Sequence, residues 1–172
     1  MIRTLVFLIS LFFTQNLFAI KSNILKKLTK SIIHKEAYIN FYFDGSFHNG
    51  HLILRRVSLT KEQVLNNPYK HGILQFDQYK DILINLENVS LEEMDQGQIR
   101  GGDFFVLYFK EPKYSEVLYI FEIAESGIEI NGIRYKFNKK VMDIIWQMFP
   151  EIYKEQHIIR DTHKNFYNKK LF

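Results

Sequence analysis

The chain predicts an α+β fold: an antiparallel sheet of about five to seven strands joined as a meander of hairpins, with helices at the N- and C-terminal ends. Three observations carry this expectation. Phe104 to Phe109 (FFVLYF) is apolar on both alternations, the pattern of a central strand buried on both faces. Gly127 to Phe137 alternates around Asn131-Gly132, the strongest short signal for a two-residue hairpin. After it, Val141, Ile144, Ile145 and Met148 repeat at helical spacing, and Met142, Trp146 and Phe149 widen that apolar face.

From the start of the chain, Met1 to Arg3 carries one positive charge and Leu5 to Phe13 is apolar except for Ser10. Thr14 to Asn16 breaks the run, and Ala19 is small enough for a cleavage site. Residues 1–19 therefore read as a secretory signal peptide cut after Ala19. The apolar run is shorter than the roughly 20 residues that span a bilayer. Residues 20–172 are expected to form one globular domain, with 160–172 as a polar tail that frays.

Asn23 to Lys35 places Ile24, Leu25, Leu28, Ile32 and Ile33 on one helical face, with lysines opposite. A membrane-lying helix would want Trp or Phe on that face, so packing against the domain is expected. Ala37 to Asp44 is rich in aromatic and β-branched residues and predicts a strand. Asp44-Gly45-Ser46 and Asn49-Gly50 turn the chain, and His51 to Ser58 is expected to return as its hairpin partner. Thr60 to Asn67 predicts a short helix, with Thr60 as N-cap, Gln63 three residues on, and Pro68 as the stop. The alternation of Ile82, Ile84 and Leu86 predicts a strand reaching Val89. Ser90 to Glu93 offers a capping box and a helical turn, and the glycines between Gln96 and Gly102 require a loop. Glu116 to Ala124 returns alongside Phe104 to Phe109 after a turn at Pro112. The Asn131-Gly132 turn fixes Ile130 opposite Ile133, Ile128 opposite Tyr135, and Glu129 opposite Arg134. Asn138 caps the next helix, Pro150 interrupts it, and Glu151 to Ile159 predicts a second, weaker one.

The chain contains no cysteine, which excludes thiolate nucleophiles, thiolate metal sites, a lipid-modified cysteine and disulfides. With the signal peptide, this places the mature chain in a bacterial periplasm or in the medium. Net charge alternates along the chain: +6 over 20–80, −8 over 81–130 and +5 over 131–172. The acidic centre argues against nucleic acid as a partner. Membrane contact is expected only through the signal peptide.

No motif of catalysis or cofactor binding stands out, and no cofactor or metal is expected. His48 and His51 with Asp44 form a loose metal-like trio, but a hairpin commonly displays such polar residues. Ser46 lies near His48 and Asp44, yet a catalytic triad is assembled in space, so adjacency carries little. His157 and His163 are six apart, the wrong spacing for one helical face. Glu92, Glu93, Asp95 and Asp103 bracket the glycine loop without the spacing of a calcium loop.

Three functions fit these features. The first is an exported, non-enzymatic interaction protein, such as an inhibitor or immunity protein neutralising a toxin. Glu92, Glu93, Asp95 and Asp103 would be its surface for a basic protein partner. The second is an exported lipid- or small-molecule-binding domain that uses the abundant aromatics. The third is a hydrolase whose site is assembled from residues distant in sequence.

Overall fold

A computed structural model describes residues 24–48, 51–52, 58–94 and 97–157. The signal peptide, its cut after Ala19, most of the expected return strand, Asp95, His163 and the tail lie outside the described residues.

The elements are α1 (Ile24–Lys35), β1 (Tyr38–Asp44), β2 (Phe47–His48), β3 (His51–Leu52), α2 (Lys61–Asn66), β4 (Lys70–Leu74) and α3 (Phe76–Leu83). A 3-10 turn (Ile84–Asn88) leads on to β5 (Phe104–Lys110), β6 (Val117–Ala124), β7 (Gly127–Ile130), β8 (Ile133–Tyr135) and α4 (Lys139–Met148). A further helical stretch covers 150–157. Six strands form one antiparallel sheet in the order β4-β1-β5-β6-β7-β8, and β2-β3 is a separate hairpin. This is the α+β class the sequence predicts, and β5 is the central strand that its apolar run requires. No helix among the described residues is long and apolar enough to cross a membrane.

Strand alternation divides the sheet into two faces. Phe43, Phe105, Leu107, Phe121 and Ile128 point to one face, where α1, α3 and α4 close over them. Leu25, Leu28 and Ile32 of α1, Leu83 of α3 and Ile145 of α4 are buried there. Tyr79 of α3 is buried too, and its hydroxyl donates to the Ala37 carbonyl at 2.5 Å, fastening α3 to the start of β1. Burial pushes its phenol well above the ordinary pKa. Among the described residues the other face receives α2, whose Val64 packs with Leu59, Ile99, Phe104, Val106 and Ala124.

The hairpin at Asn131-Gly132 has the predicted register at all three pairs. Asn131 (φ 49°) and Gly132 (φ 83°) both adopt the positive φ that the turn needs. Asn138 caps α4 by accepting from the Lys140 and Val141 backbone N–H groups at 3.0 and 3.3 Å. In α2, the Gln63 side chain accepts the Thr60 backbone N–H at 2.9 Å.

Three expectations are corrected. The hairpin partner of β1 is not the segment after His51: β1 lies between β4 and β5, and β2-β3 pairs separately, Phe47 with Leu52 and His48 with His51. Both edges of β1 are taken by strands that extend its buried face. The segment from Ile82 to Val89 is helical, not extended. Tyr79, Leu83 and Leu86 supply a buried helical face there, while Ile84 is 51% exposed, so the alternation was a coincidence within a short apolar run. Ser90 to Glu93 makes no helical turn. It runs beside β8, with the Met94 N–H donating to the Arg134 carbonyl at 2.9 Å and the Lys136 N–H to the Glu92 carbonyl at 2.8 Å. The otherwise free edge of β8 outcompetes the local cap.

Candidate binding surface

Helix α2 packs over β5 and β1, and among the described residues the β4 side of that face is open. Asn40 and Tyr42 of β1, His71 and Ile73 of β4, Tyr108 of β5 and Ile120 of β6 share it. The register sets Asn40 between Ile73 and Tyr108, Tyr42 beside His71, and Tyr108 beside Ile120. The rings organise one another: Tyr42 stacks with His71 at 6.4 Å between centroids and meets Tyr108 edge-on at 6.0 Å. Ile73 is 58% exposed. Asn40 Oδ1 is buried among these side chains and has no hydrogen-bond partner among the described residues. A buried amide oxygen without a donor is costly unless something else supplies one. β4 is also the edge strand, so its outer backbone has no neighbouring strand among the described residues.

Beside the open half lies a cleft of about 240 Å³, lined by Lys61, Glu122, Glu129 and Arg134 together with Thr60 and Gln98. Glu122 and Glu129 are directly opposed across β6 and β7, a like-charge pair that would destabilise the sheet alone. Each has a cation: Lys61 bonds Glu122, and Arg134 Nε donates to Glu129 Oε2 at 2.8 Å. Glu122 is 4% exposed. Its burial raises the carboxyl pKa against the opposing pull of Lys61. For Lys61, partial burial works against the charge, but the hydrogen bond and the charge of Glu122 outweigh it and the ammonium pKa rises. Burial also raises the Tyr108 phenol, with Lys61 opposing. Each charge in the cleft is therefore already paired, and a charged ligand would have to displace a partner to be held there.

The residues singled out in the sequence lie elsewhere. Glu92 is exposed and pairs with Lys136 at 2.5 Å, and exposed Glu93 bridges to Tyr135 at the β8 edge. Asp103 is 4% exposed and accepts the Ser46 backbone N–H at 3.1 Å, next to β5. β5 and β8 are three strands apart, about 14 Å at ordinary strand spacing. Asp103 therefore does not share one surface with Glu92 and Glu93.

Asp44, Ser46 and His48 do come together, but around the turn backbone. Asp44 Oδ1 accepts the Gly45 N–H at 2.8 Å and lies 2.6 Å from His48 Nε2. His48 stacks on Tyr69 at 4.0 Å. Gln156 holds Phe47 at both its N–H (3.0 Å) and its carbonyl (2.6 Å). This cluster fastens the β2-β3 hairpin to the C-terminal helical stretch. No group of three metal-ligating side chains occurs among the described residues. His157 packs on Trp146 and Tyr153 at 5.1 and 4.3 Å.

Comparison with known proteins finds no matching family, no matching curated protein and no matching solved structure.

Proposed function

We propose that the chain is an exported, non-enzymatic interaction protein that holds a protein partner along the open half of its sheet. An inhibitor or immunity protein acting in the periplasm or the medium is one form of this reading. The observation that carries it is the half-covered face, with two tyrosines, a histidine and an exposed isoleucine arrayed around Asn40 beside an edge strand. An extended segment of the partner would pair with β4 and continue the sheet. Its side chains would lie beside His71 and Ile73 of β4, and other parts of the same partner would cross the face to Tyr42 and Tyr108.

The test is affinity capture of residues 20–172 from native envelope extract, run with variants. A stoichiometric partner retained by wild type and by Glu92→Ala/Glu93→Ala, but lost with Ile73→Asp or Tyr108→Ala, supports the proposed face. A partner lost only with the glutamate variants would move the contact to the β8 edge and remove the proposal.

The unpartnered Asn40 oxygen favours a second reading, in which a small molecule with an N–H or O–H donor sits on the aromatic face. Native mass spectrometry would then show a retained ligand that Asn40→Ala releases.

A further inference from the structure

We propose a second, independent binding site on the helical side of the molecule, one that takes an uncharged saccharide. Helix α4 ends at Met148, and Pro150 opens the next helical stretch at a joint. The joint leaves a cleft of about 630 Å³, lined by Lys139, Asp143, Trp146 and Gln147 along one stripe of α4, and by Pro150 and Tyr153 beyond it. Trp146 belongs to the core: it is 6% exposed and meets Phe105 and Phe43 edge-on at 4.8 and 5.7 Å. On its outer side it meets Tyr153 at 5.8 Å.

The rest of the cleft suits a sugar. Tyr153 is 45% exposed, with its ring held between His157 at 4.3 Å and Trp146 at 5.8 Å, and its exposed part would meet the C–H side of a pyranose. Around it stand a carboxylate, an ammonium and an amide, the mixture needed by hydroxyls that both donate and accept. Lys139 and Asp143 neutralise each other at 2.7 Å, so an anionic ligand would have to displace Asp143 to gain Lys139. That balance favours an uncharged ligand. The site lies on the opposite layer from the open sheet face, so the two proposals stand or fall separately.

Trp146 is the only tryptophan in the chain, so its fluorescence reports this cleft alone. Residues 20–172 would be titrated with triacetylchitotriose, cellotriose and maltotriose, and with tetra-alanine as a peptide probe. The expected result is a saturable emission change with at least one trisaccharide. It should weaken roughly tenfold or more in Tyr153→Ala and in the solvent-facing Gln147→Ala, each losing about one ring or hydrogen-bond contact. No saturable change with any trisaccharide, binding as tight in both variants as in wild type, or saturation by tetra-alanine alone would overturn the assignment.

Discussion

The two faces of the sheet are built from the same strands and spend their aromatic residues differently. On the closed face, Phe43, Phe105 and Trp146 interlock beneath three helices. On the half-open face, Tyr42 meets both His71 and Tyr108, and the two tyrosines also lean on the smaller cluster under α2. Phenylalanine predominates on the closed face, although Tyr135 is buried there too and Phe104 is buried beneath α2 on the other face; tyrosine and histidine occupy the part of that other face that remains available. Tyr79 tests the rule from the closed side, because it is a tyrosine in the core whose hydroxyl is taken up by the Ala37 carbonyl. The difference separates residues needed for stability from residues needed for binding, and the following substitutions probe that separation.

The largest effect is expected on the closed face. Phe105→Ala removes a ring packed against Phe43, Trp146 and Phe149 and leaves a cavity in the densest part of the core. Urea unfolding should show a loss of about 3–5 kcal/mol. Tyr79→Phe keeps the ring and deletes the hydroxyl, leaving the Ala37 carbonyl without its donor. A loss of about 1–3 kcal/mol is expected, set by the cost of a buried unsatisfied group. Tyr108→Ala on the open face should cost roughly 1 kcal/mol or less, because the ring is only half-buried, yet it should abolish capture of the partner. If Tyr108→Ala proved as costly as Phe105→Ala, the division between the faces would fail.

The parts of the fold that were legible are those governed by local chemistry. Asn131-Gly132 dictates its turn, and the register of β7 and β8 follows from it. The unbroken apolar run of β5 announces a central strand, and the Asn138 cap and 3.6-residue spacing announce α4. The pairing of β1 with β4 was not legible, because their partnership is decided by burial across a helix and a long connection, not by a turn. The candidate surface depends on that pairing: Asn40, Tyr42, His71 and Ile73 become neighbours only when β4 lies beside β1. Asp103 shows the opposite error. In sequence it belongs to an acidic, glycine-rich loop. In the fold it sits 4% exposed beneath the turn from β1 to β2, where it accepts the Ser46 N–H. The one part of the charged cleft visible beforehand was the cross-strand pair of Glu129 and Arg134.

The smallest effect concerns Glu122, which lies on the half-open face but is buried like a closed-face residue. Its raised pKa means that the folded chain binds a proton at a pH where unfolded chain does not. Stability associated with this group is therefore gained as pH falls through the raised value, and the gain is complete below the ordinary glutamate pKa of 4.5. Glu122→Gln removes the titration, so wild type minus variant stability should grow as pH falls through the raised value toward 4.5. Glu129 and Glu62 act in the same direction by repulsion, and Lys61 opposes them. On the alkaline side, Lys61 holds its proton because of Glu122, so wild type alone should lose that stabilisation as pH rises through the raised ammonium pKa. Thermal unfolding of both proteins from the ordinary glutamate value of 4.5 to beyond the ordinary lysine value of 10.5 measures both slopes. If the difference instead shrank as pH fell from neutrality, the ion pair would outweigh burial. Glu122 would then belong with the solvated pairs at the rim, and the cleft would be a feature of the open surface, not an extension of the core.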